Sequence, residues 1–160
     1  MRGKIIFLGN SLYLEDKISL VIGKLLQNKL SIANIEVEVT ERIGIDLLDV
    51  LLDLDRGADI IIIVDSVYVD RDDLYGEVFL IDPENMPSAS IRAPHTISLK
   101  DLLDLVRILG RGGVKFYLIG IGIRDLTTLS EDLSEYLKSK LDYIVNKVYE
   151  LIKLIIEQNI

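Results

Sequence analysis

Five consecutive aliphatic residues, Ile60-Ile61-Ile62-Ile63-Val64, lie between two aspartates near the middle of this 160-residue chain. A membrane-spanning helix needs about 20 apolar residues, so this run is far too short to cross a bilayer. None of its positions is polar, and a strand formed by it would therefore be buried on both faces. Such a strand is typical of the middle of a parallel sheet that is covered by helices on both sides.

The rest of the chain alternates between strand and helix patterns. Apolar or alternating runs predict four further strands, at residues 4–8, 35–40, 76–81 and 115–121. Leucine, isoleucine and valine at helical spacing predict four helices, at residues 14–28, 47–54, 98–109 and 133–155. This order, without repeats or linkers, predicts one domain over residues 1–160. Its fold class is three-layer α/β, with a mainly parallel twisted sheet, an edge strand at 35–40 and helices on both faces.

Composition excludes several classes of function. The chain has 26 acidic and 18 basic residues, and its net charge of −8 argues against a nucleic-acid or anionic-membrane partner. It has no cysteine, which excludes disulfides, thiolate metal sites and a cysteine nucleophile. The apolar run before Gly9 is shorter than the roughly 7–15 residues of a signal peptide. We therefore expect a cytoplasmic monomer that binds neither nucleic acid nor membrane.

Parallel sheets bind ligands beyond the carboxyl ends of their strands, where successive connections run in opposite directions. If the second and third strands flank the first, this crevice brings together Asp16 (or Glu15) and Asp65. The only histidine, His95, follows a loop that contains all three prolines. Two carboxylates and one imidazole would suit a divalent ion such as zinc or nickel, and would leave positions open for substrate or water.

Other interpretations of these residues are available. An aspartate after a buried strand often caps a turn, and a lone histidine before a helix is more often a surface or capping residue. The acidic run Asp70, Asp72 and Asp73 lacks the spacing, glycine and glutamate of a calcium loop, so we expect a solvated loop. A Ser-His-Asp triad lacks the G-x-S-x-G elbow, and Gly120-Ile121-Gly122 lacks the third glycine of a dinucleotide fingerprint.

Three segments together resemble the maturation endopeptidases of nickel–iron hydrogenases. The family patterns are a G-N-x-L-x-x-D-[DE] loop, an apolar strand that ends in D-[AS], and H-x-x-[SG]-L before a helix. The corresponding segments are Gly9-Asn10-Ser11-Leu12-Tyr13-Leu14-Glu15-Asp16, Ile61-Ile62-Ile63-Val64-Asp65-Ser66 and His95-Thr96-Ile97-Ser98-Leu99. Gly44-Ile45-Asp46-Leu47-Leu48 and Gly76-Glu77-Val78 also match the signature between them, so the resemblance covers residues 4–125.

The resemblance implies a phosphorylase/hydrolase-like fold and a metal-dependent endopeptidase, classed as aspartic-type. Its partner would be the hydrogenase large-subunit precursor, from which it trims a C-terminal extension after nickel insertion. By family position, Asp16, Asp65 and His95 are the catalytic residues and the metal ligands. The nickel would arrive with the substrate, and zinc or cadmium would substitute for it in vitro.

The chain departs from the family pattern at three places. Lys17-Ile18-Ser19 replaces Gly-x-Gly after the acidic pair, Thr40-Glu41-Arg42 replaces Gly-Gly-Thr, and the Glu-Pro that follows the late Gly-Ile is absent. Lys17 would either weaken metal binding by charge repulsion or point to solvent. Two alternative functions remain: a non-catalytic relative that binds the nickel-loaded subunit as a chaperone, and an unrelated doubly wound protein that binds a small ligand.

Overall fold

A computed structural model of the protein describes residues 1–32, 34–52, 57–82, 99–109 and 113–160. The strands in these ranges are β1 (Gly3–Leu8), β2 (Ile35–Thr40), β3 (Ile60–Tyr68), β4 (Val78–Ile81) and β5 (Lys115–Ile123). The helices are α1 (Ile18–Leu30), α2 (Gly44–Leu51), α3 (Leu99–Leu109) and α4 (Glu135–Glu157). None of the helices within these ranges is long and apolar enough to cross a membrane.

The strands form one sheet in the order β2-β1-β3-β5-β4, in which only β4 runs antiparallel to its neighbour. β1 therefore lies between β2 and β3, and it is parallel to both. This confirms the mainly parallel three-layer α/β fold, the edge position of residues 35–40, and the strand order on which the crevice prediction depended. The segment at 76–81 is the antiparallel edge strand, beginning at Val78.

The isoleucine run of β3 divides its side chains between two cores. Ile60, Ile62 and Val64 belong to the core on the side of α1 and α4. Ile61 and Ile63 belong to the core on the side of α2 and α3. All five side chains are at most 2% exposed, which explains why the run has no polar position.

Several predicted boundaries shift because of contacts between distant parts of the chain. The helix predicted from Leu14 begins only at Ile18, because the preceding residues pair with residues 128–130: Tyr13 forms an antiparallel bridge with Leu129, and the Leu14 backbone N–H donates to the Thr128 carbonyl at 2.8 Å. β3 and β5 extend past their apolar runs, since their ends pair with each other as far as Tyr68 and Ile123. Residues 83–94 of the proline-bearing loop, His95, and Ser98 at the start of the predicted third helix lie outside the described residues.

The acidic segment at 70–73 is a solvated loop, as predicted. Asp70, Asp72 and Asp73 are exposed, and two of them form surface ion pairs. Asp73 pairs with Arg71, and Asp72 pairs with Arg124 at the end of β5. Exposed ion pairs of this kind contribute little to stability, so the segment is not a core element.

α1 packs unusually close to the sheet at Gly23. A Cβ atom at this position would lie 2.7 Å from Phe7 Cγ and 2.8 Å from Val39 Cγ2. Both distances are shorter than van der Waals contact, so only glycine allows α1 to approach β1 and β2 this closely.

Gly23→Ala tests this packing. Alanine is worth up to about 1 kcal/mol more than glycine in a helix, yet we expect the substitution to lower the free energy of unfolding by about 1–3 kcal/mol because of overpacking. Urea unfolding measures the change, and Lys24→Ala on the exposed face of the same helix serves as the control. Unchanged or increased stability of Gly23→Ala would contradict the close packing.

Candidate active site

Asp65 lies directly after the isoleucine run, where β3 reaches the carboxyl edge of the sheet. Its side chain is half-buried, and Oδ1 accepts a hydrogen bond from the Ser66 backbone N–H at 2.8 Å. Burial and the nearby charge of Asp16 raise the pKa of Asp65 to about 7, although the bond from Ser66 opposes the shift. The carboxyl group is therefore close to half-protonated at neutral pH.

Asp16 comes from the loop between β1 and α1, just before the first turn of the helix. Its Oδ1 accepts a hydrogen bond from the Ser66 hydroxyl. Burial raises the pKa of Asp16 from its ordinary value, and the bond from Ser66 partly offsets that shift. The structure thus brings together the two carboxylates that the strand order predicted to meet.

Ser66 contacts both carboxylates, through its backbone N–H to Asp65 and through its hydroxyl to Asp16. In the sequence Ser66 was only the last residue of the D-[AS] segment, and this bridging contact was missed. The available signal was the serine alternative of the D-[AS] pattern, because alanine at that position would provide the backbone bond but not the hydroxyl.

Gly9 permits the loop to return to the end of β1. A Cβ atom on Gly9 would lie 2.5 Å from the Asp16 carbonyl oxygen, so a side chain here would push Asp16 away from the sheet. The Asn10 backbone N–H donates to the same carbonyl at 3.4 Å and closes the loop. Glycine is therefore needed at this position of the G-N pattern, because a side chain there would collide with the Asp16 backbone.

The sequence left open whether Glu15 or Asp16 faces Asp65. Glu15 is 2% exposed, and its carboxylate accepts hydrogen bonds from the Tyr75 hydroxyl and from the backbone N–H groups of Arg124 (2.8 Å) and Asp125 (2.9 Å). The pKa of Tyr75 is raised to about 12, mainly by burial and secondly by the hydrogen bond from its hydroxyl to Glu15. Because Glu15 is engaged by these donors, Asp16 is the carboxylate that pairs with Asp65.

Lys17 does not point to solvent. Its side chain is buried, with the residue 6% exposed, and its ammonium group donates to the Ser130 carbonyl. Of the two alternatives for Lys17, the one that points to solvent is therefore wrong, because its acceptor lies 113 residues further along the chain, where no local pattern could reveal it.

The pair has donor chemistry that suits a divalent cation. Carboxylate oxygens are hard ligands, and a cation beside them would offset the repulsion that raises the pKa of Asp65. The third predicted ligand, His95, lies outside the described residues. Within the described part of the chain, no group of three or more histidine, cysteine, aspartate or glutamate side chains is arranged to hold a metal ion.

Comparison with known sequences identifies one family. Residues 23–151 match the family model HycI, described as hydrogenase maturation protease. This match covers most of the chain and includes Asp65 and His95, whereas Asp16 lies before its start. A search of curated protein sequences finds no significant match.

Solved structures of the same kind have a similar fold. The NiFe hydrogenase maturation protease HycI from Thermococcus kodakarensis superposes with a TM-score of 0.72 at 17% identity, over 95% of this chain and 92% of that one. The hydrogenase maturating endopeptidase HybD from Escherichia coli gives 0.68 at 20% identity, over 96% and 93%. HybD from Thermococcus kodakarensis gives 0.63 at 24%, over 94% and 99%. At these identities the structural likeness establishes the fold.

Asp65→Asn tests the electrostatics of the pair. The folded state raises the pKa of Asp65 from 3.8 to about 7, so between these values it binds a proton that the unfolded state has lost. The resulting contribution to the free energy of unfolding falls as pH rises through this window, by up to about 1.4 kcal/mol per pH unit.

Urea unfolding at a series of pH values measures this slope. We expect the wild-type protein to lose stability relative to Asp65→Asn from about pH 4 to about pH 7, with no further relative change above that range. Asp142→Asn, a change on the exposed side of α4, is the matched control and should follow the wild-type curve. Parallel curves for the wild type and Asp65→Asn would show that the pKa of Asp65 is not raised.

Proposed function

The chain belongs to the hydrogenase maturation protease family, and from this premise we propose that it is the endopeptidase that removes the C-terminal extension of a nickel–iron hydrogenase large-subunit precursor after nickel insertion. The observation that carries the proposal is the pair formed by Asp16 and Asp65. These two carboxylates stand in the family motifs, and Ser66 links them at the carboxyl edge of the sheet.

In this proposal the nickel is part of the substrate, and Asp16, Asp65 and His95 are the groups that bind it. A divalent cation held by oxygen and imidazole donors supplies Lewis acidity, which polarises a carbonyl or lowers the pKa of water. Zinc or cadmium would take the place of nickel in vitro. Because the metal comes with the precursor, the enzyme would select the subunit that has already been loaded.

The raised pKa of Asp65 describes the pair before the metal-loaded precursor binds. Peptide cleavage needs a base that removes a proton from the attacking water and an acid that protonates the amine as the C–N bond breaks. A divalent cation on the pair would lower the pKa of Asp65 from its metal-free value of about 7, so Asp65 would hold the cation as a carboxylate and release its own proton on binding. The cation would in turn lower the pKa of the attacking water.

The family match decides one of the two alternative functions. The hypothesis of an unrelated protein that binds a small ligand is wrong, because the chain belongs to the protease family. A non-catalytic chaperone stays open where the chain departs from the family pattern. Glu41, which stands in the replaced Gly-Gly-Thr segment, accepts a hydrogen bond from the Ser11 backbone N–H at 2.5 Å and joins the loops after β1 and β2.

We further propose that the protein acts in the cytoplasm and as a monomer.

The test is to incubate the purified protein with nickel-loaded precursor and to follow the intact mass of the large subunit. We expect loss of one discrete C-terminal fragment from the loaded precursor and no loss from nickel-free precursor. Asp65→Asn and Asp16→Asn should each lower the cleavage rate by at least about 100-fold, because each removes a charged oxygen donor to the cation.

Asp142→Asn is the control for these substitutions, since it also exchanges one carboxylate for an amide but lies on the exposed face of α4. Binding of the loaded precursor without any mass loss would support the chaperone instead. Cleavage by Asp65→Asn at the wild-type rate would refute the role of the pair.

A further inference from the structure

Asp16 stands between two charged residues that are both buried. Glu15 is 2% exposed and Lys17 is 6% exposed, whereas the strands and helices of the described chain place most of their charged groups in water. Removing a charge from water is costly unless it is paired and hydrogen-bonded, so each of these residues needs a specific partner. The proposed catalytic mechanism uses neither of them.

Glu15 and Lys17 both have hydrogen-bond partners in the segment at residues 124–130, which follows β5. The Glu15 carboxylate accepts from the backbone N–H groups of Arg124 and Asp125, and the Lys17 ammonium donates to the Ser130 carbonyl. These are charge-assisted hydrogen bonds, which are stronger than bonds between neutral groups. The two residues that flank Asp16 are thus attached to opposite ends of one short segment.

Backbone contacts hold the same two segments together just before Glu15. The Leu14 N–H donates to the Thr128 carbonyl at 2.8 Å, and the Ser130 N–H donates to the Leu12 carbonyl at 3.0 Å. An antiparallel bridge also joins Tyr13 and Leu129. The loop that carries Asp16 therefore follows the 124–130 segment along its length.

The 124–130 segment is itself fixed by its own hydrogen bonds. The Asp125 carboxylate accepts from the backbone N–H groups of Thr127 (3.0 Å) and Thr128 (2.8 Å), and from the Thr128 hydroxyl (2.6 Å). The third donor to Glu15, Tyr75, stacks on Tyr136 of α4 with ring centroids 4.1 Å apart. The hydrogen bonds of Asp125 fix the shape of the 124–130 segment, and the stacking on Tyr136 fixes the third donor to Glu15. Both sets of contacts therefore support the loop that carries Asp16.

We propose that Glu15 and Lys17 are positioning residues, through which the 124–130 segment holds the Asp16 carboxylate beside Asp65. Consecutive Cα atoms are about 3.8 Å apart, so fixing residues 15 and 17 leaves the residue between them little freedom to move. The inference rests on the proposed function in that Asp16 must act on the substrate. It adds that Lys17, which replaces a glycine of the family pattern, is part of the device that places Asp16.

The test compares Lys17→Met, Glu15→Gln and Glu15→Ala. Methionine keeps the apolar stem of Lys17 and removes the bond to Ser130. Glutamine keeps an acceptor oxygen for the two backbone N–H groups of Arg124 and Asp125, whereas alanine removes all three bonds. Lys138→Met, an exposed change on α4, is the matched control for the lysine.

Cleavage of nickel-loaded precursor gives the first readout. We expect Lys17→Met and Glu15→Ala to lower kcat by about 10- to 100-fold with KM little changed, since a shift of about 1 Å in a catalytic group has an effect of this size. Glu15→Gln should recover most of the rate, and Lys138→Met should match the wild type. Urea unfolding identifies the folded fraction of each variant, and a purely structural role would leave kcat per folded molecule unchanged, which would overturn the proposal.

Crystal structures of Lys17→Met and Glu15→Gln give a second readout that needs no activity. We expect the Asp16 carboxylate to leave the Ser66 hydroxyl in Lys17→Met and to keep this contact in Glu15→Gln, with Asp65 unmoved in both. An Asp16 that stays on Ser66 in Lys17→Met would overturn the positioning role of Lys17. If the wild type cleaves no precursor, the proposed function fails, while these structures still decide whether the anchors position Asp16.

Discussion

The structure depends on two carboxylates, Asp16 and Asp65, that lie close together beyond the buried isoleucine run of β3. Asp65 is fixed by the end of β3, and Asp16 is brought to it by the loop after β1. Burial and the nearby charge of Asp16 raise the pKa of Asp65 to about 7, so the pair destabilises the fold at neutral pH. A pair of this kind is typical of an active site, where a raised pKa has a use.

The surrounding structure offsets this unfavourable arrangement. The isoleucines of β3 fill both cores, which fixes the strand on which Asp65 stands. Gly9 lets the Asp16 backbone approach the end of β1, and Ser66 donates to both carboxylates. The anchors at Glu15 and Lys17 then join the loop of Asp16 to the segment after β5. Family membership gives this geometry its chemical context, namely proteolysis in hydrogenase maturation.

Local patterns in the sequence were enough to predict the fold class and the meeting of Asp65 with Asp16 or Glu15, and the family resemblance selected Asp16. The burial of β3 on both faces follows from its five aliphatic residues, and the crevice follows from the strand order. The predicted start of α1 was wrong because residues 12–14 pair with residues 128–130 instead of continuing the helix. The anchors were out of reach for the same reason: Glu15 binds groups 60 to 110 residues away, and such contacts leave no periodic signal.

Anomalous diffraction from a crystal of the protein soaked in a cadmium salt is the most direct test of whether Asp16 and Asp65 act together as a cation-binding pair. We predict an anomalous peak between the two carboxylates, and its loss in crystals of Asp16→Asn protein. Cadmium bound to exposed carboxylates such as Asp72, with no peak at a well-ordered Asp16 and Asp65, would contradict it.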